Sequence, residues 1–129
     1  MKKLILNIRS IDKQHKELID IINTIKDQLY LNPNHINDIT DLLPHFKILL
    51  INHFSYEERL LFEHKYPDFG KHLLQHKILI NKFKEIDLIH DNKMTKCLKL
   101  IEFFEEYITI HICDDDMQFS EFLIKKGVK

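Results

Sequence analysis

Four stretches of this chain set apolar residues at alternating steps of four and three, and histidines stand in the same register. Ile11, His15, Leu18, Ile22, Ile25 and Leu29 form the first seam; Ile39, Leu43, Phe46, Leu50, His53, Glu57, Leu60 and His64 form the second. The third reads Phe69, His72, His76, Leu79, Phe83 and Ile86, and the fourth Cys97, Ile101, Phe104, Ile108 and His111. Such steps keep side chains on one face of an α-helix, so each stretch buries a stripe and leaves its other faces to solvent. Four such helices joined by short turns predict an all-α protein, an up-down-up-down four-helix bundle with a short C-terminal helical segment. The 129-residue length fits a single domain, residues 1–129. Only two glycines occur, and the turn dipeptides that join short strands are missing.

Local signals place the boundaries. Ser10 or Asp12 is the expected cap of the first helix, which runs to about Leu31, before the loop Asn32-Pro33-Asn34. The second helix is expected from about Ile36 to His64, with Pro44 as a kink or break near its start. Tyr66-Pro67-Asp68 reads as a turn, with Pro67 suited to the first position of the third helix, which ends near His90. After a turn at Asp91-Asn92 the fourth helix runs from about Lys93 to Ile112, and a shorter helical piece from Met117 to Lys126 closes the chain before Gly127.

Several function classes drop out on composition. A net charge of −1, with histidine neutral, offers no nucleic-acid footprint. Lys2 and Lys3 precede only the apolar Leu4 to Leu6, too short for a signal-peptide core, and no uncharged run approaches membrane-spanning length. The expected compartment is therefore the cytoplasm, with no membrane partner. Cys97 and Cys113 are read as thiols, because on one helix they stand roughly 24 Å apart, too far for a disulfide.

The nine histidines carry the chemistry. A single histidine on an apolar face is more often a satisfied core residue than a ligand, but these are grouped. His72 and His76 lie one turn apart and project the same way; His53 and Glu57 repeat that spacing on another helix. His15 and His111 come from the remaining two. Burying so many ionisable groups is costly unless they are paired or bound to metal, and a bundle interior is a standard place for a dinuclear site. Imidazole with carboxylate suits iron, zinc, copper or nickel. The donors are too many for one tetrahedral ion, and a carboxylate can bridge two cations. Two irons match best, while spacing alone leaves two zincs or manganese open. Beyond His111, an uninterrupted α-helix returns Asp115 to the same face and leaves Asp116 about 140° away, so pattern alone selects Asp115.

The stretches IDKQHKELIDIIN (11–23), HFSYEE (53–58), HLLQH (72–76) and HICDDD (111–116) resemble the hemerythrin family, in particular its single-domain bacterial members. The resemblance spans nearly the whole chain. It implies that His72, His76 and His111 bind one iron and His15 and His53 the other. Glu57 and Asp116 would bridge them together with an oxo or hydroxo group. Choosing Asp116 over Asp115 requires the helix to end, tighten or carry a π-type turn there. Dioxygen would bind at the open position of the two-histidine iron, beside Ile108, where the family usually has a leucine. Ile22, Leu50 and Phe104 would complete the apolar surround. His35, His45, His64 and His90 match no ligand position. The family often has tryptophans near the start and in the fourth helix; here the segment MKKLILN and Tyr107 stand instead, which leaves the packing of the N-terminal arm open.

Five neutral imidazoles outnumber two carboxylates, a donor set that disfavours breaking the O–O bond. The implied function is reversible dioxygen binding, as carrier, store or scavenger, and not catalysis. Two alternatives come from other classes: a di-iron enzyme acting on peroxide or nitric oxide, and an oxygen or redox sensor that works through a partner protein.

Overall fold

The computed structural model describes residues 5–129, so Lys2, Lys3 and Leu4 lie outside the described residues. Helix α1 spans Arg9–Leu31, and a 3₁₀ turn at Pro33–His35 leads into the short α2, Ile36–Thr40. Helices α3, Leu42–Glu63, and α4, Phe69–Asp87, follow. Helix α5 is Lys93–Phe103, and α6, Met117–Lys125, closes the order. Between α5 and α6 the chain stays helical, through π-type stretches at Phe104–Ile108 and His111–Asp116. Among the described residues there is no strand, and no helix is long and apolar enough to cross a membrane.

Two boundaries differ from the sequence expectation, at the start of α1 and at the start of α4, while the break at Pro44 is as expected. Neither Ser10 nor Asp12 caps α1: the N-cap is Ile8. The Asp12 carboxylate instead accepts the Leu6 and Asn7 N–H groups at 2.7 and 3.0 Å, and Ser10 accepts the Tyr56 hydroxyl at 2.7 Å. The arm is thereby folded back, and Leu6 and Ile8 are buried against Ile11, Leu61, Phe119 and Leu123. The break expected near Pro44 is present, at Asp41 between α2 and α3. The Pro44 ring would meet the carbonyl four residues back, that of Thr40, and α2 ends at that residue. Pro67 is not the first residue of α4; it lies in the turn, and α4 starts at Phe69.

The largest difference lies in the last third of the chain. The C-terminal piece expected from Met117 is present as α6, but the fourth helix does not stop at Ile112: π-type stretches carry it on, so that residues 93–125 form one helical run. The apolar seam also drifts. Leu61 rather than Leu60 is fully buried, and Leu100 and Phe103 are buried while Ile101 is only half-buried. An α-helix repeats every 3.6 residues, so a stripe written at 3.5 walks around the helix.

Helices α1, α3, α4 and α5 pack in a closed circuit, α1 on α3, α3 on α4, α4 on α5 and α5 on α1, which makes a helical bundle. Its core comes in two parts. The larger includes Leu18, Ile22, Phe46, Leu50, Phe83, Leu100, Phe104 and Ile108. The smaller is the cluster around Leu6, Leu61 and Phe119. A layer of buried polar residues lies between them in sequence on every long element: His15 between Ile11 and Leu18, His53 and Glu57 between Leu50 and Leu61, His72 and His76 between Phe69 and Leu79, and His111 and Asp116 between Ile108 and Phe119.

Candidate metal centre

All seven residues singled out as ligands meet in that layer. Each is at most 3 % exposed, and Glu57 and Asp116 are 0 % exposed. They fall into two groups that share both carboxylates: Glu57, His72, His76, His111 and Asp116 on one side, and His15, His53, Glu57 and Asp116 on the other, the donor atoms within each lying inside 4.8 Å. Glu57 Oε1 stands 3.1 Å from His76 Nε2 and 3.6 Å from His72 Nε2, whereas its Oε2 stands 3.1 Å from His53 Nε2 and 3.8 Å from His15 Nε2. Asp116 divides in the same way. Its Oδ1 is 3.1 Å from His111 Nε2 and 3.3 Å from His72 Nε2, and its Oδ2 is 3.4 Å from His15 Nε2.

The π-type stretch turns Asp116, and not Asp115, toward the inner nitrogens. Bonding from i to i+5 widens the turn, so residue 116 comes over residue 111 instead of swinging away. Asp115, favoured by plain α-helical spacing, does reach His111, but at the outer nitrogen: His111 Nδ1–H donates to Asp115 Oδ2 at 2.9 Å. Ile108 is buried in the larger apolar core with Ile22, Leu50 and Phe104, one turn before His111. His35, His45 and His90 are exposed, and His64 is half-buried and bonded to the Leu60 carbonyl.

Sequence periodicity missed the side chains that orient the imidazoles. His53 Nδ1–H donates to Gln14 Oε1 at 2.7 Å and His76 Nδ1–H to Glu58 Oε2 at 3.3 Å. Phe54 stacks on His76 with ring centroids 4.0 Å apart, and Phe119 meets His72 edge-on at 5.0 Å. Gln14 and Glu58 each bond a histidine on another helix, so spacing within one stretch carries no signal for them.

These outward bonds fix the chemistry of the inner nitrogens. An imidazole that donates from Nδ1 presents a lone pair at Nε2. Yet His15 and His53 bring Nε2 atoms to 3.0 Å, and His76 and His111 to 3.1 Å. The four oxygens of Glu57 and Asp116 are buried and accept no hydrogen bond of good geometry among the described residues. Lone pairs and carboxylates packed this closely repel unless positive charge sits among them, so the residues fit a pair of metal cations.

Protons compete for the same positions. Burial opposes charge on His15, but the Asp116 and Glu57 carboxylates outweigh it and lift its pKa to about 9. Burial likewise opposes charge on His111, which Asp116 and Asp115 lift to about 10. His72 is raised by Asp116 and Glu57 against the same opposition. Burial pushes Glu57 up, yet His53, His15 and His72 hold it well below the usual carboxylate range. For Asp116, burial and the Glu57 charge push up, and His111 and His15 hold it below the usual carboxylate range. A metal must displace the protons of His15 and His111 to take their lone pairs. Adding ferrous iron to apo-protein at pH 7 in weak buffer should therefore release at least those two protons, read with a pH indicator; uptake without release would contradict this charge balance.

A family model described as the hemerythrin HHE cation binding domain matches residues 6–123. The chain belongs to the hemerythrin family. No curated protein and no solved structure matches it. As a hemerythrin-family chain it is a cation-binding helical domain, and the matched span contains both histidine groups and both shared carboxylates.

Proposed function

We propose that this hemerythrin-family protein is a single-domain, cytoplasmic dioxygen-binding protein built on an up-down-up-down four-helix bundle, with two iron ions as its cofactor. His72, His76 and His111 hold one iron, His15 and His53 hold the other, and Glu57 and Asp116 bridge them. One observation carries the reading: each buried carboxylate turns one oxygen to the three-histidine group and the other to the two-histidine group. Imidazole with carboxylate is a donor set that suits iron. A ferrous pair held there would supply two electrons to dioxygen and take them back on its release.

The chain's own residues do the rest. Three histidines on one side against two on the other leave the two-histidine position the less filled, and dioxygen is received there. Ile108, with Ile22, Leu50 and Phe104, forms an apolar wall that would keep water from the bound gas and slow its escape in reduced form, which would leave the iron oxidised. Gln14, Glu58 and Asp115 lock three imidazoles in orientation, so the site is preorganised.

The test is the visible spectrum of iron-loaded, anaerobically reduced protein before oxygen, under oxygen and after its removal. A band that appears with the gas and leaves with it is the expected result. Immediate, lasting conversion to a ferric spectrum would overturn reversible binding in favour of an enzyme acting on peroxide or nitric oxide.

A further inference from the structure

The hydrogen bonds behind the histidines are not alike on the two sides. In the three-histidine group His76 and His111 both donate to carboxylates, Glu58 at 3.3 Å and Asp115 at 2.9 Å. In the two-histidine group His53 donates to a neutral carboxamide, that of Gln14, at 2.7 Å. His15 Nδ1 has no hydrogen-bond partner among the described residues. An anionic acceptor draws the Nδ1 proton outward and enriches the ring, so Nε2 becomes the stronger donor to a highly charged ion. A carboxamide does this more weakly, and an unpartnered nitrogen does not do it at all.

We propose that Glu58 and Asp115 are positioning residues that make the two metal positions electronically unequal, fixing the three-histidine position as the one that favours the ferric ion. The two-histidine position, backed among the described residues by Gln14 alone, then favours the ferrous ion and is the first to be reduced. This inference rests on the di-iron reading above. The asymmetry has a use: the position that receives the gas is the one that returns most readily to the ferrous state. Both carboxylates sit at the surface end of their contacts, with Asp115 30 % and Glu58 28 % exposed, so an amide can replace either without disturbing the core.

The experiment is a stepwise redox titration of iron-loaded protein, with iron content measured first. Wild type should take two irons per chain and show two one-electron steps. Glu58→Gln and Asp115→Asn should each keep both irons and raise the second step, which belongs to the three-histidine position, while the first stays nearly fixed. Loss of a second-layer partner commonly changes metal affinity by about 10–100-fold. A tenfold loss of ferric preference appears as a rise of about 59 mV in a one-electron step. Gln14→Glu removes no hydrogen-bond acceptor and should lower the first step instead, which keeps the test open if an amide variant folds poorly. Two irons bound with both steps unmoved, or moved equally in every variant, would overturn the inference and leave the di-iron reading standing. A wild-type chain that takes up fewer than two irons would remove that reading, and the inference with it.

Discussion

Glu57→Ala should reduce iron loading below two per chain while the protein stays helical. Glu57 is 0 % exposed and its two oxygens face four histidine Nε2 atoms, so its loss removes an anionic ligand from both positions at once. Loss of an outer-layer partner alone costs about 10–100-fold in metal affinity, and loss of a shared ligand should exceed the upper figure. His53→Ala should have a narrower effect, emptying the two-histidine position first. The measurement is metal content after desalting, with circular dichroism as the check on folding. Two irons retained by a folded Glu57→Ala protein would sink the bridging assignment. The buried carboxylate also balances the charge of the histidines around it, and removing one partner from a buried ion pair costs about 3–5 kcal/mol, so some loss of thermal stability is expected before metal is added.

The second large effect separates two adjacent aspartates. Asp116→Ala should lose stable two-iron loading as Glu57→Ala does, because both of its oxygens are spent on the inner nitrogens. Asp115→Ala removes only the acceptor behind His111, at 2.9 Å, and should still fill both positions at saturating iron, with affinity lower by about 10–100-fold. Competition with a graded chelator reads both. The reverse order of damage would give the bridge to Asp115 and would mean that the helix near residue 116 is not widened as the structure has it.

That pair of residues also shows what a sequence of this kind conveys. Steps of three and four within single stretches are enough to align His72 with His76 and His53 with Glu57, because neighbours on one helix face are set by helical geometry alone. The same arithmetic misplaces Asp116, since it assumes an uninterrupted α-helix and the chain widens from His111 to Asp116. The family motif required such a departure; periodicity could not supply it. Gln14 meets His53 from another helix, and no pattern within one stretch encodes a contact across two. Boundaries failed where a side chain had a stronger competing partner. Asp12 looks like a cap but is committed to the Leu6 and Asn7 N–H groups, whereas the break expected at Pro44 is present, one turn upstream of the ring, with α2 ending at Thr40.

The central claim is that seven buried side chains hold two cations side by side with two carboxylates between them. X-ray absorption at the iron edge of protein loaded to saturation tests it most directly. The account predicts two irons per chain, an inner shell dominated by imidazole, and a clear iron–iron scattering path at roughly the 3.5–4 Å of dinuclear sites, or somewhat shorter where an oxo group bridges. One iron per chain with no iron–iron path would contradict it.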